Sequence, residues 1–192
     1  MNVVVPSDSL LFAAVIAWTV SEYYGAMTHL RHRKIKAKVK GDKGSLLAYY
    51  IGIAVFLGAV VALPDSFFGA FPSYVFYVGI ALMFAGIVLR QWAIATLSGS
   101  FSLSVVVRDG QKLVDRGPYS RVRHPSYTGI AVTLVGFGLA LGSLAVIVVS
   151  GAVFLPVLAY RIRVEEGALK ESFGLQYKEY MERTKRLIPF LF

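Results

Sequence analysis

The chain has 192 residues, no cysteine, a formal net charge of +9 and 56% hydrophobic against only 16% charged residues, with a mean hydropathy of +0.63. Soluble domains carry about 25% charged residues, so an ordinary soluble domain is excluded, as are disulfides, thiolate nucleophiles and thiolate metal sites. The apolar residues gather in long runs instead of recurring with the period of an amphipathic helix, which predicts an all-α integral membrane protein.

Residues 1–9 carry no cationic region and no small-residue cleavage site ahead of the first apolar run, so the first span is expected to be retained. That span is predicted over 10–27. A basic stretch follows, with Arg31, Arg33, Lys34, Lys36, Lys38, Lys40 and Lys43. The second span is predicted over 45–63 and closes at Pro64-Asp65. Residues 66–73 hold three Phe and no Lys or Arg, which suits the opposite interface. The third span is predicted over 74–97.

The polar connection 98–123 alternates polar and apolar residues from Phe101 to Val107 and then carries the turn pair Asp109-Gly110, which predicts a short extended stretch. Spans four (125–141) and five (144–160) are separated by Gly142-Ser143 alone and must form a tight antiparallel hairpin, with Gly138 and Gly142 allowing close approach. From Arg161 the tail interleaves charges with Leu169, Phe173, Tyr177 and Tyr180, which predicts an amphipathic helix over 161–192, interrupted at Gly174 and closed by Pro189.

The Lys and Arg residues fall in three segments: the first connection, the 98–123 connection and the tail. Only Arg90 lies inside a span. With five spans this distribution puts the N-terminus outside and every basic segment, with the C-terminus, in the cytoplasm. The excess positive charge is therefore a topology signal, with attraction to anionic membrane lipids as a further effect, and nucleic acid is not an expected partner.

Candidate chemistry collects on that inner face, in Gly117-Pro118-Tyr119-Ser120-Arg121-Val122-Arg123-His124-Pro125-Ser126-Tyr127 and at the start of the tail. Pro125 suits the first turn of a helix with His124 at its cap. The backbone N–H groups there favour an anion, a preference to which Arg121 and Arg123 add. Both arginines serve equally well as interfacial anchors. His124 can act as a base, a hydrogen-bond donor or a cap; Tyr127 lies on nearly the same helical face. Tyr119 and Tyr127 also suit an aromatic belt. In the tail, Arg161 and Glu165 share a face while Glu166 points about 100° away. An Arg and two Glu so near the membrane edge call for protein, water or a ligand opposite them. Arg90-Gln91 is a polar group within span three that can face the same cavity or snorkel. His29, His32 and the remote His124 make a poor ligand set, and no metal site is expected.

Gly117 to Gly129 (GPYSRVRHPSYTG), the hairpin, Arg161-Ile-Arg-Val-Glu-Glu, Phe173-Gly174, Tyr177, Tyr180 and Leu187-Ile-Pro189 together resemble the isoprenylcysteine carboxyl methyltransferase family, in a short form of the prokaryotic type. The match is close over 110–189 and loose over the first three spans. Eukaryotic members carry extra N-terminal spans and an unbroken acidic run where this chain has Arg163 and Val164. The resemblance implies an integral membrane enzyme that uses S-adenosylmethionine without a Rossmann domain, in line with the lack of a Gly-x-Gly-x-x-Gly motif. It implies that the 98–123 loop binds the cofactor through Gln111, Lys112, Leu113, Val114 and Tyr119, with His124, Pro125, Ser126 and Tyr127. Glu165 corresponds to a cofactor-binding Glu and Arg161 to the Arg that holds the substrate carboxylate, so 161–192 completes the site. The implied acceptor is a lipid-like or prenylated small molecule or peptide.

Other readings are a phospholipid N-methyltransferase, against which Arg161 argues because an amine must be deprotonated to accept a methyl group, and a thiol methyltransferase. An NADPH-dependent enzyme resembling sterol reductases and a non-catalytic membrane scaffold are more distant alternatives.

Overall fold

A computed structural model of the chain describes residues 8–31, 37–40, 42–69, 71–97, 101, 105–108 and 110–188. Residues 32–36 and 41 of the basic stretch, including His32, the side chain of His29, the Asp109 half of the turn pair and Pro189 lie outside the described residues.

Six α-helices follow in order: α1 (Asp8–Arg31), α2 (Ser45–Val61), α3 (Ser73–Leu97), α4 (Pro125–Ala140), α5 (Leu144–Phe173) and α6 (Leu175–Arg183). Their starts obey local chemistry. Gly44 takes a positive φ of 76° ahead of α2, Pro125 occupies the first turn of α4, and the Ser143 side chain caps α5 by accepting from the Val146 N–H at 3.2 Å. Between α4 and α5, Gly142 turns the chain at φ 63°, a conformation that only glycine adopts cheaply.

Two helices, α3 and α5, are long and apolar enough to cross a membrane by length and composition; α2 and α4 are apolar but shorter. Large apolar side chains stand on the outside of the bundle, among them Phe12, Leu47, Val61, Tyr74, Val88, Val148 and Leu155, a surface that water does not favour.

The structure adds two details to the expected helical bundle. The predicted last span and amphipathic tail are one helix, α5, which runs through Tyr160 to Phe173 without a break. Residues after Tyr160 are mostly good helix formers, and the chain first leaves helical geometry at Gly174, φ 54°. The described residues are also not purely helical. The extended stretch expected after Phe101 is strand β2 (Val106–Arg108), which pairs antiparallel with β1 (Ala37–Lys40) from the basic connection, Val39 opposite Val107.

The inside is packed in three places. Tyr49, Phe56, Ile130, Leu134, Val146 and Phe154 join α2, α4 and α5. Ala14, Phe76, Ile80, Met83 and Ala140 join α1, α3 and α4. Val105 and Val107 of the ribbon segment meet Ala168 on the extension of α5. The closest backbone approach is between α3 and α4: a Cβ built on Gly86 would stand 2.6 Å from the Gly129 carbonyl, and one on Gly136 would stand 2.6 Å from the Gly79 carbonyl. This seam brings the end of α3 beside the start of α4, where the polar motif begins.

Candidate active site

The start of α4 is held by the C-terminal segment. After α6 the chain turns back alongside residues 121–124, with Val122 and Lys185 forming a parallel bridge. The Arg123 and His124 N–H groups donate to the Lys185 and Arg186 carbonyls at 2.7 and 3.0 Å, and Thr128 Oγ1 donates to the Leu187 carbonyl at 2.7 Å. The helix start is thus less open to an anion than its sequence suggests: the His124 N–H is taken, Pro125 has none, and the Tyr127 and Thr128 N–H groups bend back to the His124 carbonyl.

His124 makes no cap bond with its side chain, so the imidazole turns inward. It is 3% exposed and lies between two carboxylates, Nδ1 at 3.6 Å from Glu165 and Nε2 at 3.6 Å from Glu166. Its ring stacks on Tyr127 with centroids 5.6 Å apart. Burial acts against the charged imidazole, but the two carboxylates of Glu165 and Glu166 beside it outweigh that and raise the pKa above the ordinary value. The same contacts hold both carboxyls below theirs, against the opposing effect of burial.

The two glutamates divide as their spacing predicts. Glu166 turns away from the cavity and accepts from Arg123 Nε at 3.0 Å and from Arg186 Nε and Nη2 at 3.2 and 3.1 Å. Arg123 also donates to the Met181 carbonyl at 3.1 Å and to that of Thr184. Arg123 and Glu166 therefore lock the C-terminal segment onto α4 and α5. Glu165 turns inward and accepts from the Tyr127 hydroxyl at 2.9 Å. Arg161, one turn earlier on α5 and 4% exposed, donates from Nε to the same Tyr127 oxygen at 3.3 Å and from Nη1 to Ser45 Oγ at 3.4 Å. Its guanidinium carbon lies 5.5 Å from the Tyr49 ring centroid and 5.9 Å from that of Tyr127.

These groups face a single cavity that opens to the outside at one end. Of the residues expected to form a site, Gln111, Lys112, Leu113, Val114, Tyr119, His124, Ser126, Tyr127, Arg161 and Glu165 all line it. Pro125 is not among the lining residues and sits buried in the first turn of α4. Arg90 stands one layer behind, donating to Ser126 Oγ at 2.7 Å. Arg121 is exposed on the surface. Among the described residues no group of three His, Asp or Glu is arranged to hold a metal.

The sequence assigned no site role to Leu97, Phe101, Val105 and Val107, or to Leu169, Phe173, Tyr177 and Tyr180 of α5 and α6, which with Arg123 complete the wall. The signal was present, because the apolar face of the tail is plain in its spacing, but it reads equally well as a face laid on lipid. Ser45, Tyr49 and Glu22 were also missed, each lying within an apolar run with no motif around it.

A helical bundle with an apolar exterior, and a polar cavity at one end holding a buried arginine, a histidine and a carboxylate, is the architecture of a membrane enzyme whose reactants differ in polarity. Comparison with known proteins defines the class further. Residues 77–171 match the model of the isoprenylcysteine carboxyl methyltransferase family. Over 184 residues the chain is 30% identical to protein-S-isoprenylcysteine O-methyltransferase B of Arabidopsis thaliana, covering 94% of this chain and 92% of that one. It is 29% identical to a probable protein-S-isoprenylcysteine O-methyltransferase of Oryza sativa subsp. indica, covering 95% of each. Among solved structures it resembles a eukaryotic intramembrane Ras methyltransferase at TM-score 0.59 and 28% identity, over 76% of this chain and 52% of that one. The chain thus spans about half the length of that solved protein. It belongs to the isoprenylcysteine carboxyl methyltransferase family, and is a membrane methyltransferase.

Proposed function

We propose that the chain transfers the methyl group of S-adenosylmethionine to the carboxylate of an isoprenylcysteine or a similar lipid-like acid. The observation that carries this reading is the single cavity shared by Arg161, stacked between two tyrosines, and by Glu165, His124, Tyr119 and Gln111 to Val114.

The donor set suits the cofactor. Aromatic walls at Phe101, Tyr119, Phe173 and Tyr177 match the flat adenine. Glu165 offers an acceptor for an ammonium or ribose hydroxyls, and Gln111 and Ser126 add neutral polar contacts. When bound, the cofactor supplies an electrophilic methyl carbon on a sulfonium: a carboxylate oxygen forms the new C–O bond as the S–CH₃ bond breaks, leaving a neutral thioether and a methyl ester.

The protein's part is mainly positioning, since a carboxylate is already ionised at neutral pH and needs no base. Arg161 presents a guanidinium fork to the acceptor carboxylate. Tyr127 links that fork to Glu165 and so fixes the distance between the acceptor and cofactor sides. Burial of Arg161, with Tyr127 partly buried beside it, keeps water away from these interactions and strengthens them.

In the same reading, residues 10–27, 45–63, 74–97, 125–141 and 144–160 are five membrane spans with the N-terminus outside, and the cavity, the part of α5 from Arg161 onward, α6 and the C-terminus are cytoplasmic. The apolar outer surface meets membrane lipids, and the prenyl tail approaches between the helices while the cofactor enters from water. The acceptor partner is a prenylated small molecule or peptide.

Membranes containing the protein should transfer labelled methyl from S-adenosylmethionine to farnesyl- or geranylgeranyl-cysteine analogues, and the label should be released as methanol by base. Base-stable label would indicate an amine or thiol acceptor, and absence of transfer to any isoprenylcysteine acid would remove the acceptor assignment.

A further inference from the structure

Helix α1 lies outside the stretch matched by the family model, yet it delivers a carboxylate to the layer directly behind the cavity wall. Arg90 Nε lies 2.7 Å from Glu22 Oε1, and Arg90 Nη2 donates to Glu22 Oε2 at 2.7 Å. The remaining nitrogen, Nη1, donates to Ser126 Oγ at 2.7 Å. The Arg90 side chain is 4% exposed and that of Glu22 28%. On the other side of the carboxylate, the Tyr49 hydroxyl donates to Glu22 Oε2 at 3.5 Å, and the Tyr49 ring lies against Arg161. Beside this group, Gln91 Nε2 donates to the Ser21 carbonyl at 3.1 Å and to Ser21 Oγ.

Attaching α1 to α3 does not by itself require these charges. A buried ion pair loses about as much in desolvation as it gains in attraction, and apolar residues of similar size usually hold helices together as well or better. Charged groups among apolar helices are costly enough that their presence points to a role. What this pair provides, and an apolar contact cannot, is a set of directed hydrogen bonds to Ser126 in the cavity wall and to Tyr49, which lies behind Arg161. Ser126 stands among the residues assigned to the cofactor. Tyr49 backs the arginine assigned to the acceptor.

We propose that Glu22 and Arg90 form a positioning pair for methyl transfer, holding Ser126 on the cofactor side and the Tyr49–Arg161 stack on the acceptor side at a fixed separation. The proposal rests on the acceptor assignment above and extends it to the N-terminal helix. In-line displacement is sensitive to such a separation, because a misplacement of about 1 Å costs roughly 100-fold in rate.

The test uses Glu22→Gln and Arg90→Lys in the full chain, purified in detergent. S-adenosylhomocysteine is titrated by calorimetry to count binding-competent molecules, and methyl transfer to a farnesylcysteine analogue is then expressed per binding site. Turnover per site should fall about 10- to 100-fold, while the dissociation constant for S-adenosylhomocysteine changes only a few-fold. The swap Glu22→Arg with Arg90→Glu should recover part of the loss, since the serine and tyrosine hydroxyls can each donate or accept. Full turnover per binding site in both single variants, with only a lower unfolding temperature, would reduce the pair to a structural contact and overturn the inference. The wild-type protein separates the two readings: loss of transfer in the variants alone supports the pair, whereas a wild type that binds S-adenosylhomocysteine but methylates no isoprenylcysteine acid overturns the acceptor assignment and this inference with it.

Discussion

Tyr127 and Arg161, from neighbouring helices, meet at a single oxygen: the guanidinium Nε donates to the phenol at 3.3 Å while that phenol donates onward to Glu165 at 2.9 Å. The tyrosine ring also lies 5.9 Å from the guanidinium carbon. Two residues one turn apart on α5 thus communicate through a third that α4 supplies. Tyr127→Phe keeps the ring and removes the relay. Its kcat/KM for the acceptor is expected to fall by roughly 10-fold, about the effect of losing a hydrogen bond to a charged group. Arg161→Ala should lose far more, chiefly on the acceptor side. Parallel measurement of acceptor kinetics and S-adenosylhomocysteine binding checks both, and unchanged acceptor kinetics in Arg161→Ala would contradict the role given to that residue.

The His124 cluster predicts how stability varies with pH. The imidazole pKa is raised above 6.5 in the fold, where contacts with Glu165 and Glu166 prevail over burial. Its stabilising contribution is therefore fully present below 6.5 and is lost as pH rises through the raised value. Glu165 and Glu166 have pKa values lowered below 4.5, so their contribution is present above 4.5 and is lost as pH falls through the lowered values. Thermal unfolding should show greatest stability between 4.5 and 6.5 and a decline on the alkaline side. His124→Asn should flatten that alkaline decline. Glu166→Ala leaves Arg123 with a broken buried pair and should cost about 3–5 kcal/mol, measured in mild detergent.

The seam between α3 and α4 gives a purely steric prediction. At Gly86 an added methyl would press on the Gly129 carbonyl at 2.6 Å and on Thr133, so Gly86→Ala should destabilise by about 1–3 kcal/mol. Gly58, in α2, has nothing within 4 Å of its virtual Cβ. Gly58→Ala should be neutral or stabilising, since glycine within a helix costs about 0.5–1 kcal/mol relative to alanine. Equal losses at the two positions would mean that the close approach does not govern stability.

Much of this arrangement is legible in the chain. The apolar runs foretell the helices of the bundle because their length and composition are local properties. Gly142-Ser143 foretells the hairpin, since a connection that short permits only antiparallel neighbours. The spacing from Arg161 to Glu165 foretells that both face one way, and the additional residue to Glu166 that it faces another. The alternation after Phe101 foretells a strand; its partner in the basic connection alternates too, from Ile35 to Lys40, but that the two pair depends on where the helices bring the two loops.

The sequence by itself therefore determined the membrane class, the helical segments and the family, and brought nearly all of the expected site residues to notice, because periodicity, composition and motif spacing are carried by neighbouring residues. Only the tertiary structure decided that Glu166 and Arg123 fasten the C-terminal segment while Glu165 faces the cavity. It also joined Glu22 of α1 to Arg90 behind Ser126. Those relations link residues from separate helices, and their physical cause is the need of each buried charge for a partner, which no single segment of the chain can satisfy alone.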